Sequence, residues 1–259
     1  MIGGRVIGKI EASAHIGPNV TLGKNNYVGH GAVIEGRVVI GDNNYIGNHC
    51  VIGVRAQNAT HRYEINDELD CAETVIIGSN NVIREFTTVH RPMDTETRIG
   101  SYCYLMAYNH VSHDTQLADR VILANNVQIG GYTRIHSYAN VGLSSVVHQL
   151  STIGAHAMIG MGSIVSKDIP PFAMVMGNPV SFSGKINSIG LQRNGFSADE
   201  AAAIARFYGD ATGAVDAASL PARMLEHLEA FAKDSRRKTL PICAPVDAWV
   251  AARRKPAGH

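Results

Sequence analysis

IGSYCYLMAYNHVSHDTQLADRVILANNVQIGGYTRIHSYANVGLSSVVHQLSTIGAHAMIGMGSIV, residues 99–165, is the stretch whose reading decides the fold. Every sixth residue from Ile99 is aliphatic: Ile99, Leu105, Val111, Leu117, Leu123, Ile129, Ile135, Val141, Val147, Ile153, Ile159 and Val165. The same spacing runs from Ile10 to Ile52 and again through Ile77, Ile83 and Val89, giving 23 positions that are all Ile, Leu or Val. The following residue is often glycine, as at Gly100, Gly130, Gly142, Gly154 and Gly160. The residue four after the aliphatic is mostly small, as at Cys103, Thr115, Thr133, Ala139, Ser145 and Ser163. An amphipathic helix needs apolar residues near a 3.6 period and a half-buried strand needs a period of two. A period of six fits short strands joined by tight corners and wound into a prism. The aliphatic fills the interior, the small residue fits the corner, and glycine is expected to relieve the turn.

Composition narrows the function. The 259 residues carry a formal net charge of +1, so no global basic footprint for nucleic acid exists. Aromatics are only 6% and glycines number 26, a balance that suits many tight turns better than a conventional large core. Cys50, Cys71, Cys103 and Cys243 have no CxxC or metal-type spacing, which argues against a disulfide or zinc framework and for a reducing, cytoplasmic setting. The sequence MIGGRVIGKIEASA lacks an apolar signal core, and no apolar run is long enough to span a bilayer, so neither secretion nor membrane insertion is expected.

Residues 54–76 and 91–98 leave the register, and long polar insertions on a rigid solenoid often carry binding groups. The first holds Arg55, His61, Arg62 and Tyr63; a solvated loop is the plain alternative. Residues 166–180, with paired prolines, read as the end of the prism. The division expected is 1–188 for the prism and 189–259 for a helical domain. Within the latter, Ser197 and Glu200 form a capping box that opens a helix, a second helix covers 220–234, and a short third contains Trp249 and Val250. Arg236-Arg237-Lys238 and Arg253-Arg254-Lys255 read as solvated clusters or as contacts for an acidic partner.

The hexads resemble the left-handed β-helix of hexapeptide-repeat transferases, in which three hexads make each triangular coil. The resemblance implies an all-β left-handed parallel β-helix with a small C-terminal α-helical domain. Coils then repeat every eighteen residues and stack at about 4.8 Å. His113 lies two after Val111; Gly131 and Gln149 follow at eighteen-residue intervals, so the three form a vertical column on the outside of the prism. A histidine beneath an exposed glycine N–H suits acyl transfer: the imidazole takes a proton from a hydroxyl and the amide holds the developing oxyanion. Most of the other histidines, including His15, His30, His49, His227 and His259, suggest no site.

Residues 104–131, YLMAYNHVSHDTQLADRVILANNVQIGG, resemble the signature of the UDP-N-acetylglucosamine acyltransferase family, which begins lipid A biosynthesis. Further matching stretches are IGSNNVIREFTTVHR (77–91), VVHQLSTIGAHAMIG (146–160), DIPPFAMVMGNPVSF (168–182) and INSIGLQRNGFS (186–197). HxxHD at 110–114 and GLxRxGFS at 190–197 are the discriminating elements. The resemblance implies a cytoplasmic homotrimer with sites between prisms. It moves a 3-hydroxyacyl group from acyl carrier protein to a nucleotide-sugar hydroxyl, with no metal and no cofactor beyond the carrier's phosphopantetheine. It implies His113 as general base, Asp114 as its orienting partner, and Gly131 as the oxyanion donor. His110, His148, Gln149, Asn187, Arg193 and Arg62 would bind the acceptor. Met161 stands where the family places a stop for the acyl chain. Methionine there implies a chain of about ten carbons, each methylene excluded being worth about 0.8 kcal/mol of burial.

Departures from the family pattern fall on the acceptor side. Tyr132 replaces a histidine, Ile189 a glutamate and Asn194 an arginine, and the RPMDTETR loop (91–98) is shorter than usual. Three alternatives stay open on sequence: an acyl or acetyltransferase of the same fold with another acceptor, a non-catalytic binding protein on this scaffold, and a zinc enzyme of the γ-carbonic anhydrase type. The last expects an H-x4-H pair, where this chain has His110 and His113 at a spacing of three.

Overall fold

The computed structural model describes residues 8–57, 74–210, 220–242 and 244–253. The hexads form a left-handed parallel β-helix, its strands two to four residues long and stacked in three sheets that make the faces of a triangular prism. The register follows the aliphatic columns. Leu105 pairs with Leu123, Leu123 with Val141 and Val141 with Ile159, eighteen residues at each step. Across the two breaks the columns rejoin, Ile46 beside Ile83 and Ile83 beside Leu105, with a local shift only after Val89, where His90 pairs with Val54. From Val28 onward the column residues are buried (Leu105, Val111, Leu117 and Leu123 are each 0% exposed), and each such side chain contributes about 1.5–3 kcal/mol of burial.

The glycine column does something other than expected. Most of these glycines, Gly100 and Gly142 among them, lie outside the positive-φ region. Their constraint is the next coil: a Cβ on Gly100 would lie 2.8 Å from Ala118 C and Asp119 N, and one on Gly142 2.7 Å from Ile159 O and Met161 N. The left-handed conformation falls two residues later, at Tyr108 (φ 65°), Asp114 (56°), Arg120 (61°), Asn126 (60°) and Tyr132 (58°). The corner therefore turns on non-glycine residues whose side chains project outward, while glycine lets backbones approach. At another corner the small-residue column is partly polar. Asn26, Asn44 and Asn81 are buried one above another, each Oδ1 accepting from the next coil's backbone at 2.7–2.9 Å, ending on Cys103 N. Each amide thus satisfies a polar corner that would otherwise be costly to bury.

The prism also ends later than the hexads. Ile169 bridges Ile153, the strand Ala173–Met176 pairs parallel with Met158–Ile159, and Ser181–Ile186 folds back antiparallel to close the top. Helices α1 (Ser188–Arg193), α2 (Ala198–Gly209), α3 (Ala222–Asp234) and α4 (Ala244–Arg253) follow. The capping box is present: Ser197 and Glu200 satisfy each other's backbone N–H groups at 3.2 and 2.8 Å. Helix α1 overlaps the start of the GLxRxGFS element and the sequence reading passed over it; six residues are too few to show a period. The α3 side chains Met224, Leu228 and Phe231 are fully buried. Among the described residues no helix is long and apolar enough to cross a membrane.

Candidate functional site

One corner of the prism collects most of the chemistry. It joins the sheet containing His110–Val111 to the sheet containing Gln116–Leu117. Both insertions leave from this corner, in the coils below Val111, because Ile52, Val89 and Val111 are successive members of one column. His113, Gly131 and Gln149 stack above them as the register requires, Val111, Ile129 and Val147 being paired in turn. The stacking is tight: a Cβ on Gly131 would meet His113 Cε1 at 2.6 Å and Nε2 at 2.7 Å. Glycine is thus required here for the space its missing side chain leaves to the imidazole. The Gly131 N–H has no acceptor among the described residues.

His113 is 7% exposed and donates from Nδ1 to Asp114 Oδ2 at 2.9 Å, which leaves Nε2 as the lone-pair nitrogen under Gly131. The Asp114 carboxylate is fully buried and well supplied with donors. It accepts from the backbone amides of Met93 (2.9 Å), Asp94 (3.1 Å) and Thr95 (2.7 Å) and from the Thr95 hydroxyl (3.0 Å). Burial opposes its ionisation, but these amides and the His113 N–H outweigh it and hold the carboxyl below its ordinary pKa. The second insertion is therefore a cradle for the anion that orients His113. Sequence reading missed that role, although the signal was present: the 91–98 break follows Val89, one coil beneath Val111.

His110 lies on the strand leading to this corner. It shares a 2.9 Å hydrogen bond between Nδ1 and the Thr88 hydroxyl, and its ring packs edge-on to His90 at 4.9 Å. Burial, with His90 and His113 adding to it, pushes His110 down to about 4, so it is neutral near pH 7. His90 is lowered as well, mainly by burial, and its Nδ1 donates to Arg55 O at 2.6 Å. His148 and Gln149 are exposed at the top of the column, the His148 Nδ1 donating to Gln149 O at 3.0 Å.

The segment after α3 crosses the same corner as a strap. Buried Asp168 accepts from Thr152 N at 2.7 Å on the prism and from Ser235 Oγ, Arg236 N and Arg237 N on the strap, each at 2.8 Å. From that anchorage Arg236 donates to Tyr132 O, and Arg237 to Ser166 O (3.1 Å) and Gln149 O (3.3 Å). The cluster at 236–238 is thus not simply solvated, because two of its three side chains bind prism carbonyls beside the column. Tyr132, one residue past Gly131, presents its ring edge-on to His113 at 5.1 Å and donates its hydroxyl to the Asp94 carboxylate.

Other expected site residues lie elsewhere in the chain. Asn187 caps α1, its Oδ1 accepting from Gly190 N at 3.1 Å while its Nδ2 donates to His156 O at 3.0 Å, at a second corner. Arg193 is exposed at the end of α1. Met161 stands at the third corner, 73% exposed. Arg62 lies outside the described residues, as do Cys71 and Cys243. Among the described residues no group of three or more His, Cys, Asp or Glu side chains is arranged to hold a metal ion.

Coils of this period with a helical C-terminal layer define the hexapeptide-repeat β-helix class, and residues 21–53 match the bacterial transferase hexapeptide family. Residues 168–238 match a second family, described as UDP N-acetylglucosamine O-acyltransferase, domain 2. A UDP-N-acetylglucosamine O-acyltransferase structure from Moraxella catarrhalis is 32% identical with a TM-score of 0.57, covering 86% of each chain. A UDP-N-acetylglucosamine acyltransferase from Campylobacter jejuni superposes at TM-score 0.76 with 26% identity, over 91% of this chain and 97% of that one. The chain belongs to the UDP-N-acetylglucosamine acyltransferase family. An acyl-[acyl-carrier-protein]–UDP-N-acetylglucosamine O-acyltransferase of Thiobacillus denitrificans is 44% identical over 135 residues, 51% of this chain. The chain spans about half the length (52%) of that curated relative.

Proposed function

We propose that this protein transfers a 3-hydroxyacyl group from acyl carrier protein to a hydroxyl of UDP-N-acetylglucosamine or a close nucleotide sugar, the first step of lipid A biosynthesis. The observation that carries the reading is the stack of His113 under Gly131, with Asp114 fixing the His113 tautomer. His113 Nε2 accepts the proton of the acceptor hydroxyl as its oxygen attacks the thioester carbonyl. The Gly131 N–H faces the oxyanion that forms. Collapse breaks the C–S bond, and the imidazolium returns the proton to the leaving thiolate, so the C–O bond forms without a covalent enzyme intermediate. His110, neutral beside His113, adds no positive charge to compete with that imidazolium.

In this reading His148, Gln149, Asn187, Arg193 and Arg62 contact the nucleotide sugar and Met161 ends the acyl groove. The described members of this set stand at three different corners of one prism, which supports a homotrimer in which one copy's His113 column faces another copy's Met161 or Asn187. The division into a β-helix of 1–188 and a helical domain of 189–259 accords with helices beginning at Ser188. Cys50 and Cys103 are buried free thiols whose pKa burial pushes up to about 12, in keeping with a reducing, cytoplasmic setting. The test is product formation, followed by mass spectrometry, from purified protein, 3-hydroxyacyl carrier proteins and UDP-N-acetylglucosamine, with acetyl-CoA as rival donor. Acylated nucleotide sugar from the carrier-bound donor is the expected result; acetylation alone, or no product from folded protein, would overturn the assignment.

A further inference from the structure

We propose that Tyr132 and Asp94 form a latch that positions His113, by clamping the loop that holds Asp114 to the coil above the histidine. The proposal rests on the reading of His113 as general base and adds two positioning residues to it.

Three consecutive levels of one corner are involved. The loop at 91–96 belongs to the coil below His113, His113 and Asp114 to the middle coil, and Gly131 and Tyr132 to the coil above. Ladder hydrogen bonds join only adjacent coils, as Tyr132 N to His113 O does at 3.0 Å. The Tyr132 hydroxyl instead skips the middle coil and donates to Asp94 in the loop beneath. Its ring runs past the His113 imidazole on the way, edge-on at 89°. Tyr132 is itself held from the other side, Arg236 donating to its carbonyl. Meanwhile the amides of Met93, Asp94 and Thr95 point at the Asp114 carboxylate. A bond to the Asp94 side chain therefore fixes the loop whose backbone fixes Asp114. Asp94 is exposed, so its bond to the phenol can be cut without opening the core.

The charged and titratable groups around His113 are Asp114, Asp94, Tyr132, His110, His90 and, from the strap, Arg236. Tyr132→Phe removes the latch without altering any of the charges, which makes it the cleaner variant. Loosening the loop takes donors from Asp114 and lets its carboxylate, and with it the His113 ring, shift out of place.

The experiment combines kinetics with a readout that does not depend on substrate. Steady-state acyl transfer is measured for wild type, Tyr132→Phe, Asp94→Ala, Asp94→Asn and the Tyr132→Phe/Asp94→Ala double variant. The His113 Nδ1–H that bonds Asp114 is followed as a downfield proton signal by NMR on full-length protein with 15N-labelled histidine, assigned with His113→Ala. Each latch-breaking variant is expected to lose about tenfold in kcat with KM little changed, the scale of a small misplacement of a catalytic group. The double variant should be no worse than either single, because both cut one bond. Asp94→Asn keeps an acceptor for the phenol and should retain most activity. In Tyr132→Phe the His113 Nδ1 proton should exchange with water faster and its signal broaden. Additive losses, or an unchanged His113 Nδ1–H signal in folded Tyr132→Phe protein, would overturn the latch. A His113→Ala variant that remains active would instead overturn the base assignment, while the Nδ1–H signal of the His113-containing variants still decides the latch.

Discussion

Gly131→Ala separates a steric account of the site from a purely conformational one. Gly131 is not in the positive-φ region, so alanine meets no backbone strain there. What it meets is the imidazole: the new methyl would fall 2.6 Å from Cε1, 2.7 Å from Nε2 and 3.2 Å from Nδ1 of His113. Ordinary carbon contacts begin near 3.5 Å, so the ring must move by roughly an ångström. That displacement stretches the 2.9 Å bond to Asp114 and takes Nε2 out from under the amide. Overpacking of this size costs about 1–3 kcal/mol in stability. A 1 Å misplacement of a reacting group costs about 10²-fold in rate, and displacing an oxyanion donor about 10²–10³-fold. The assay pairs acyl-transfer kinetics with denaturant unfolding of Gly131→Ala, His113→Ala and the double variant. The methyl of Gly131→Ala should destabilise the wild-type background and leave the His113→Ala background nearly untouched, because the clash partner is gone. Equal destabilisation in both backgrounds, or near-normal turnover by Gly131→Ala, would refute the reasoning.

Other consequences can be checked separately. Asp114 has a lowered folded pKa, so its contribution is present above the unfolded carboxyl value of about 3.9 and is lost as pH falls through the lower folded one. Asp114→Asn should accordingly flatten the loss of stability below about pH 4, measured by urea midpoints, and cut kcat by roughly 10²-fold or more. His156, stacked between Tyr138 and Phe172, is pushed down to about 3, mainly by burial. A depressed histidine withdraws stability as pH falls below its unfolded value of about 6.5, so His156→Phe should reduce the decline in thermal midpoint between pH 6.5 and 4. Asp168→Ala leaves four donors without their acceptor, and hydrogen exchange at residues 235–237 should rise at least tenfold. Met161→Gly should shift the preferred donor to longer chains, read from kcat/KM across 3-hydroxyacyl carrier proteins, each added methylene bringing up to about 0.8 kcal/mol.

The hexad period carried the fold because from Val28 onward each column aliphatic is buried and the columns rejoin across both insertions, the one irregularity of pairing between the described hexad strands falling after Val89. It carried the site as far as that register reaches: His113, Gly131 and Gln149 could be stacked by counting, since corner positions repeat with the coil. Counting gave the glycine column the wrong cause, because a contact with the next coil and a positive φ both appear in sequence as glycine. It also could not show what non-repeating segments touch. Met93, Asp94 and Thr95 act on Asp114 through backbone amides, which leave no residue-type signature. Asp168 and the strap meet across some seventy residues of chain, so Arg236 and Arg237 looked like solvent-facing charge until their carbonyl partners were seen. Asn187 could be singled out from its motif, but its bonds to Gly190 N and His156 O also make it a helix cap at a corner away from His113.

The most direct test is the initial rate of acyl transfer from 3-hydroxydecanoyl carrier protein to UDP-N-acetylglucosamine by wild type and His113→Ala, both verified as folded. Removing a general base is expected to lower kcat by about 10²–10⁴-fold with a much smaller change in KM. A His113→Ala rate within a few-fold of wild type would contradict the account at its centre, because the Asp114 cradle and the Gly131 N–H would then have no imidazole to serve.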